Sequence, residues 1–257
     1  QWTKFKLYLK EINSYPRFDL IHVNVTYPVG LVALYLKLTK KIPYVITEHW
    51  TGFLPQDPAH IPFVKLFLMK KIVKNSSYLL PVSDNLVKAM SNLGLKQQTK
   101  TIRNVIDFDI FNSTNHIKNE IPKFLHISNL TFQKNCDGIL KVTERLWKDN
   151  YVFELHIGGN GDLEPFYRYK NTSDFADKLV LFGALSQQEV AVKMNEANVF
   201  ILFSRFENQP CVQIESFACG LPVIATDVGG ISEVFPTGFG QIIRSENEEE
   251  LYQSLKE

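Results

Sequence analysis

The sequence contains little cysteine and no long apolar run. Only three of its 257 residues are cysteines, and the spacing of Cys136, Cys211 and Cys219 fits neither a disulfide framework nor a metal site. An odd number of scattered thiols indicates a reducing compartment. No apolar stretch approaches the roughly 20 residues that a membrane-spanning helix requires, and the opening residues lack the pattern of a secretory signal peptide. We therefore expect a globular, cytoplasmic protein without a metal centre.

The charge is divided unevenly along the chain, although its formal net value is only +1. Residues 1–117 contain 15 Lys and Arg against 7 Asp and Glu, whereas residues 118–257 contain 13 against 20. This asymmetry indicates two functional halves, of which the first faces an anionic partner. The alternative is that the lysines of the first half are ordinary solvated surface residues.

Short apolar strands alternate with amphipathic helices along the chain. Such alternation, with few hairpin signals, predicts an α/β fold with parallel sheets and helices on their faces. The likeness between the halves predicts two Rossmann-like domains, residues 1–115 and 116–257, with the boundary in the polar stretch 112–120. The predicted strands are 18–24, 43–47, 78–82, 100–104, 123–127, 153–157, 179–181, 199–202 and 222–226. The predicted helices are 30–40, 62–75, 84–92 with Ser83 as N-cap, 138–149, 163–170, 187–196 and 212–219.

The segment 204–230 is the most informative part of the sequence. Glu207 follows an apolar strand, and Glu215 lies eight residues later in a helical run that ends at Gly220. One carboxylate at the mouth of a helix and another about two turns into it can line one rim of a pocket. There both can accept hydrogen bonds from the vicinal hydroxyls of a sugar. Taken alone, either glutamate fits a helix cap or a surface carboxylate equally well.

This segment resembles the glutamate-pair motif of the family 4 retaining glycosyltransferases, and the order of segments from about residue 18 to 257 is similar to that family. The resemblance implies a GT-B fold, in which two Rossmann-like domains face a cleft. It also implies that the first, acceptor-side domain is incomplete at its start and that a C-terminal helix is missing. The donor-binding domain is expected to be present in its core.

The resemblance assigns roles to individual side chains. Glu207 is expected to contact the hydroxyls of the donor sugar, Glu215 the ribose of the nucleotide, and Lys134 the donor diphosphate. Asn129 occupies the position of a family arginine, so the charge-assisted fork of that arginine is lost. A nearby cation such as Arg205 is the candidate to replace it.

Backbone groups and one histidine complete the predicted site. The family places backbone amides against the donor just after the first glutamate, although a proline there has no N–H to donate. His49, at the end of a predicted strand, resembles the cleft histidine that contacts the donor sugar, but a lone histidine is more often structural. The remaining donor-binding residues by resemblance are Asn208, Gln209, Pro210, Cys211, Val212, Gly158, Gly159 and Gly183. A tight turn explains the glycines equally well.

The predicted helix 62–75 mixes apolar residues with Lys65, Lys70, Lys71 and Lys74. A basic amphipathic helix of this kind can rest on an anionic membrane, which would place the protein at the inner face of the membrane. The alternative is a helix that packs on the core and exposes a lysine face.

Together, the residues and the resemblance predict retaining transfer of a sugar from a nucleotide-diphosphate sugar to the hydroxyl of a glycan or lipid-linked acceptor. Synthesis of a cell-envelope polysaccharide, lipopolysaccharide or glycolipid is the expected setting. No metal, bound cofactor or nucleic acid partner is expected. The alternatives are a nucleotide-sugar-binding module without transfer activity, and an epimerase or phosphorylase of the same fold.

Overall fold

The computed structural model describes residues 2–15, 18–113 and 120–257, and it divides into two compact units, Gln1–Asn104 and Val105–Glu257. Each unit is built on a parallel sheet with helices. The predicted boundary at 112–120 falls largely outside the described residues and stays a prediction. Within the described ranges, no helix combines the length and the apolar character that crossing a bilayer requires.

The first unit has a three-stranded parallel sheet in the order β1 (Ile21–Asn24), β2 (Tyr44–Glu48), β3 (Tyr78–Pro81). Its buried core includes one face of each of the helices α2 (Gly30–Lys40), α3 (Phe63–Asn75) and α4 (Asp84–Asn92), such as Val32, Ala33 and Leu36 in α2. Ser83 is the N-cap of α4 as predicted, because its hydroxyl accepts a hydrogen bond from the Leu86 amide at 3.1 Å. The elements are α1 Trp2–Asn13, β1 Ile21–Asn24, α2 Gly30–Lys40, β2 Tyr44–Glu48, α3 Phe63–Asn75, β3 Tyr78–Pro81 and α4 Asp84–Asn92.

The predicted strand 100–104 is wrong, since these residues have no regular structure. The segment does run beside β3, because Lys100 and Ile102 donate their amides to the carbonyls of Leu79 and Pro81. For a continuous parallel ladder, the amide of residue 81 would have to donate a hydrogen bond back to the segment. Proline has no N–H, so the ladder is interrupted there.

The predicted helix 62–75 begins one residue later than expected, because Pro62 lies at the N-cap of α3 and not in its first turn.

Helix α3 has two different faces. Met69, Ile72 and Val73 are buried in the core of the first unit. Phe63 and Phe67, which are four residues apart on the opposite side, are 81% and 49% exposed. The helix therefore packs on the core and still leaves apolar side chains in solvent.

The second unit has a six-stranded parallel sheet in the order β6 (Leu179–Phe182), β5 (Glu154–Gly159), β4 (Lys123–Ser128), β7 (Val199–Leu202), β8 (Val223–Thr226), β9 (Gly240–Ile243). This is the strand order of a Rossmann fold. Strands are added on one side of β4 as far as β6 and then on its other side from β7 onward, so the strand order reverses between β4 and β7. The elements are β4 Lys123–Ser128, α5 Cys136–Lys148, β5 Glu154–Gly159, α6 Glu164–Thr172, β6 Leu179–Phe182, α7 Gln187–Glu196, β7 Val199–Leu202, α8 Cys211–Ala218, β8 Val223–Thr226, β9 Gly240–Ile243 and α9 Glu248–Ser254.

The two central strands pair only at their start. Strands β4 and β7 are paired at Phe124 with Val199 and at Leu125 with Phe200, and both then continue unpaired with each other. By contrast, β4 pairs with β5 over six positions. The carboxyl ends of β4 and β7 therefore lie at the switch point of the sheet, where folds of this kind bind ligands in a crevice.

The remaining predicted strands and helices are found within one to three residues of their predicted ends. Among the α-helices and strands of the described ranges, α1, β9 and α9 were not predicted. Strand β9 starts at Gly240, which has φ 128° and lies so close to β8 that a Cβ would be 2.0 Å from the Val223 carbonyl oxygen. This contact between strands, and not a run of β-forming residues, fixes the strand.

Candidate functional site

Two loops at the switch point of the second unit carry the predicted site. One loop, residues 129–135, follows β4, and the other, residues 203–210, follows β7. Both leave the carboxyl edge of the sheet on either side of the crevice. Because neighbouring parallel strands end at the same edge, side chains distant in sequence meet here.

Lys134 of the first loop and Glu207 of the second form an ion pair. Their side chains are only 13% and 5% exposed. The Glu207 oxygen that pairs with Lys134, Oε1, also accepts a hydrogen bond from the Ser204 hydroxyl at 2.8 Å. The other oxygen, Oε2, accepts one from the Gln133 side-chain amide at 3.0 Å. Three side chains therefore fix the orientation of this carboxylate, and the structure brings together two of the residues that the sequence places in the site.

The two loops are joined by further hydrogen bonds. The Gln133 side chain donates to the Phe206 carbonyl at 2.9 Å, and the Arg205 amide donates to the Gln133 carbonyl at 2.8 Å. The Arg205 guanidinium donates to the Phe132 carbonyl at 2.6 Å, and it lies 4.2 Å from the centre of the Phe132 ring. It also pairs with Glu246 at 2.9 Å. Arg205 is thus bound to protein groups, and its predicted role toward the diphosphate stays a prediction.

A buried histidine lies beneath the first loop. Nδ1 of His126 is 2.8 Å from the Ile201 carbonyl oxygen of β7, and Nε2 is 2.8 Å from the Ser128 hydroxyl. Burial, with a smaller contribution from the positive charge of Lys134, lowers the pKa of His126 to about 4, although the hydrogen bond to Ile201 acts in the opposite direction. Ser128 in turn accepts a hydrogen bond from the Leu130 amide at 3.0 Å. Burial also raises the pKa of the neighbouring Cys136 thiol to about 12, so that thiol stays protonated.

The loop after β8 packs directly on the backbone of the second site loop. Gly229 has φ 61°, and a Cβ at this position would lie 1.6 Å from the carbonyl oxygen of Glu207. Next to it, the Gly230 amide donates to the Asn208 carbonyl at 2.7 Å. Only glycine fits at residue 229, because both the space and the backbone conformation exclude a side chain.

Helix α8, which follows the second site loop, carries Glu215. Burial raises the pKa of Glu215, which is half-buried in the middle of the helix. The Cys211 thiol at the start of α8 has a pKa that is raised by burial and by Glu215 and lowered by Lys134. The thiol therefore lies within electrostatic range of both charged residues. Asn208, Gln209 and Pro210, which lead into α8, are buried; Val212 in its first turn is half-buried.

The glycines and Asn129 lie around the same edge. Gly158 and Gly159 are the last residues of β5, and Gly159 has φ 135° with no room for a Cβ beside the Ser128 carbonyl oxygen. The close approach of β4 and β5 explains these glycines, and their contact with a donor stays a prediction. Gly183, after β6, is exposed and has open space around it. Asn129 is exposed, and its side-chain oxygen accepts a hydrogen bond from Thr131.

His49 belongs to the first unit, where it directly follows β2 and is exposed. Its amide and that of Trp50 donate to Glu48 at 3.0 and 2.9 Å. The other oxygen of this fully buried glutamate accepts hydrogen bonds from the amide and the hydroxyl of Thr26. Glu48 thus organises the loops that follow β1 and β2, and the role of His49 toward a donor stays a prediction.

Sequence reasoning missed Ser204, Gln133 and His126. Ser204 and Gln133 are polar residues next to predicted site residues, so their position in the two loops was the available signal. His126 lies in an apolar strand run, Phe124-Leu-His-Ile. A polar residue at a buried position of a central strand was the signal for it.

Comparison with protein families covers nearly the whole chain. Residues 107–257 match the family described as glycosyl transferases group 1, and residues 2–110 match the family described as glycosyltransferase family 4. The chain belongs to the group 1 glycosyl transferases. The match to this family includes β4 to α9 and therefore every residue of the switch-point site.

Proteins of different organisms are similar to this chain. An uncharacterized glycosyltransferase of Methanocaldococcus jannaschii is 26% identical over 93% of this chain and 64% of its own length. Alpha-monoglucosyldiacylglycerol synthase of Streptococcus pneumoniae is 22% identical over 84% of this chain and 53% of its own length. The chain thus spans less than two thirds of either relative.

A solved structure supports the fold. The crystal structure of Anabaena HepE in complex with UDP superposes with a TM-score of 0.81 at 17% identity, over 98% of this chain and 71% of HepE. The predicted GT-B fold class is confirmed by this likeness.

Proposed function

We propose that this chain is part of a retaining glycosyltransferase that moves a sugar from a nucleotide-diphosphate sugar to an acceptor hydroxyl. The observation that carries the proposal is the Lys134–Glu207 pair at the switch point of a Rossmann sheet. The ammonium group can bind the diphosphate of such a donor, and the oriented carboxylate can bind the hydroxyls of its sugar. HepE, whose structures include complexes with UDP and with UDP-glucose, supports the choice of donor class.

In the proposed reaction, the bond between the anomeric carbon and the diphosphate oxygen breaks, and its electron pair stays on that oxygen. The acceptor oxygen forms the new bond on the same face of the sugar, and its proton passes to the departing diphosphate. Lys134 and the amino end of α8 stabilise the negative charge on the diphosphate. Glu207 orients the sugar through its hydroxyls, and Glu215 holds the ribose.

The first experiment measures nucleoside diphosphate binding to this chain by calorimetry. Lys134→Ala should weaken UDP binding by about tenfold or more, since a charge-assisted contact contributes roughly 1.5–3 kcal/mol. Lys141→Ala is the matched control, because Lys141 pairs with Glu248 at 2.6 Å on the exposed surface of the same unit. Equal affinity of the Lys134 and Lys141 variants for UDP would reject the assigned site.

A second candidate is a nucleotide-sugar-binding module without transfer activity. The observation that favours it is Asn129, an exposed neutral residue at the position of a cationic family residue. The full-length protein distinguishes the two. Release of UDP from UDP-sugar that depends on added acceptor supports the transferase, whereas tight binding without turnover supports the module.

The acceptor side of the proposal rests on α3. Its exposed face combines apolar and basic side chains, and Lys65 lies 4.4 Å from the centre of the Trp50 ring. Amphipathic basic helices with aromatic residues bind the surface of anionic bilayers. We propose that this face contacts an anionic membrane that carries a lipid-linked acceptor, in the synthesis of a cell-envelope glycan. The exposed residues are Phe63, Val64, Phe67, Lys70, Lys71 and Lys74.

Vesicle flotation tests this contact. The chain should float with phosphatidylglycerol vesicles and not with phosphatidylcholine vesicles, and Phe63→Ser with Phe67→Ser should abolish flotation. The control is Val192→Ser, which removes a 55% exposed apolar side chain from α7. Unchanged flotation of the double variant would reject the membrane contact and leave the proposed transfer reaction intact.

A further inference from the structure

Strands β4 and β7 separate after two paired positions, and the His126 side chain lies in the region where they part. A parallel pair normally continues through backbone hydrogen bonds. Here the imidazole of one strand contacts the Ile201 carbonyl of the other at 2.8 Å. The side chain therefore replaces a backbone hydrogen bond and bridges the two walls of the crevice.

The protonation of His126 follows from its partners. A carbonyl oxygen can only accept, so Nδ1 carries the proton and donates to Ile201. The low pKa keeps the ring neutral at physiological pH, which makes Nε2 an acceptor. Nε2 accepts from the Ser128 hydroxyl at 2.8 Å and also has the Cys136 thiol 3.3 Å away, and the Ser128 oxygen in turn accepts from the Leu130 amide. A continuous chain of hydrogen bonds thus runs from β7 to the first residues of the Lys134 loop.

One residue of that loop, Leu130, adopts a backbone conformation that its side chain does not favour. Leu130 has φ 54°, and Asn135 at the other end of the loop has φ 52°. A bulky residue in the left-handed region is strained and persists only where the surroundings hold it. The Ser128 hydroxyl is bonded to the amide of Leu130 and so holds this backbone.

We propose that His126 and Ser128 are positioning residues that hold the Lys134 loop in its binding conformation by linking it to β7. They act through the loop backbone and do not touch the donor. The inference rests on the proposed function, because the proposed function makes the Lys134 loop the element that binds the diphosphate.

The test compares His126→Phe and Ser128→Ala with His156→Phe. His156 is a matched control, because it is a buried histidine of the adjacent strand β5 that bonds to Glu154 at 3.0 Å and does not bridge to β7. The first readout is amide hydrogen exchange of Leu130 without nucleotide. It should be about tenfold faster in the His126 and Ser128 variants, because one hydrogen bond of the chain is lost. It should stay within about twofold of wild type in the control.

The second readout is UDP affinity. Each single variant should bind UDP about tenfold more weakly, and the double variant should be no weaker than either single one, because both residues act through the same chain of bonds. Unchanged exchange at Leu130, or losses that multiply in the double variant, would overturn the inference.

The readouts also separate the inference from the proposed function. If wild type does not bind UDP while exchange at Leu130 follows the prediction, the proposed function fails and the link to the loop stands. If UDP binds and Lys134→Ala weakens it while both positioning variants behave as wild type, only the inference fails. Should His126→Phe not fold, Ser128→Ala decides the result, since Ser128 is half-buried.

Discussion

The two units each hold a buried glutamate at the carboxyl edge of a parallel sheet, but the two carboxylates have different partners. Glu48 of the first unit accepts four hydrogen bonds, three of them from backbone amides. Glu207 of the second unit is bonded to side chains of Lys134, Gln133 and Ser204.

Backbone amides cannot leave their partner without distorting the loop, so Glu48 is part of the scaffold. Side chains can rotate toward a ligand, so the partners of Glu207 can exchange one of these bonds for a bond to a donor. The comparison shows that burial of a carboxylate at a strand end does not identify a binding site. The mobility of its hydrogen-bond donors is the more informative property.

Glu207→Gln is the variant with the largest expected effect. In the complete enzyme it should lower the rate of transfer by about 100-fold or more, because an oriented polar contact to the reacting sugar contributes roughly 3 kcal/mol. The free energy of unfolding should change by only about 1 kcal/mol, since Lys134 can turn toward solvent. Transfer at the wild-type rate would show that Glu207 belongs to the scaffold, as Glu48 does.

Glu48→Gln should have the opposite profile. The amide nitrogen of glutamine would face backbone N–H groups that cannot move, and buried donors left without an acceptor cost about 1–3 kcal/mol. We expect a loss of about 3 kcal/mol in the free energy of unfolding, measured by urea denaturation. UDP affinity should be unchanged, and a stable variant with weakened UDP binding would remove the distinction between the two carboxylates.

The pH dependence of stability should reveal His126 in the second unit. Its pKa is about 4 in the folded chain and about 6.5 in the unfolded chain. Between these values the unfolded chain binds a proton that the folded chain does not. The contribution is therefore fully present above about pH 6.5 and is lost as the pH falls toward 4, by about 3 kcal/mol. Urea denaturation from pH 7 to 4 measures it, and His126→Phe should flatten the profile relative to wild type. An equal slope in both proteins would contradict a neutral buried imidazole.

Gly229→Ala gives the smallest of these effects. The added methyl group would meet the Glu207 carbonyl oxygen, and the left-handed backbone is unfavourable for alanine. We expect a loss of about 2 kcal/mol in unfolding free energy together with weaker UDP binding. Gly183→Ala, where no atom lies within 4 Å of the added Cβ, should change neither quantity. Equal behaviour of the two variants would show that the loop after β8 does not support the second site loop.

Much of the fold could be predicted from the sequence because hydrophobic periodicity marks its strands and helices. Helix α2 and α7 were predicted at their observed bounds. Strand β9 could not be predicted, because it depends on contact with β8. The irregular state of segment 100–104 could not be predicted either, because it depends on the missing amide of Pro81 in the neighbouring strand β3. Neither contact is local in sequence.

The site shows the same division. The spacing of Glu207 and Glu215 and the resemblance that it carries led to the second unit's switch point. Gln133 could not be predicted as a partner of Glu207, because it becomes a donor only through the pairing of two loops that are about 70 residues apart. Ser204 lies three residues from Glu207 in the same loop, but the sequence does not show that its hydroxyl turns toward the carboxylate. The bridging role of His126 likewise requires the separation of β4 from β7, which no sequence pattern records.

Protection of Cys211 tests the central claim, that a nucleoside diphosphate binds at this crevice, most directly. Cys211 is the exposed cysteine at the start of α8, whereas Cys136 and Cys219 are buried. The account predicts that UDP slows maleimide labelling of Cys211 in wild type and in Lys141→Ala, and that Lys134→Ala removes this protection. Binding of UDP detected by calorimetry with no change in the labelling rate of Cys211 would contradict it.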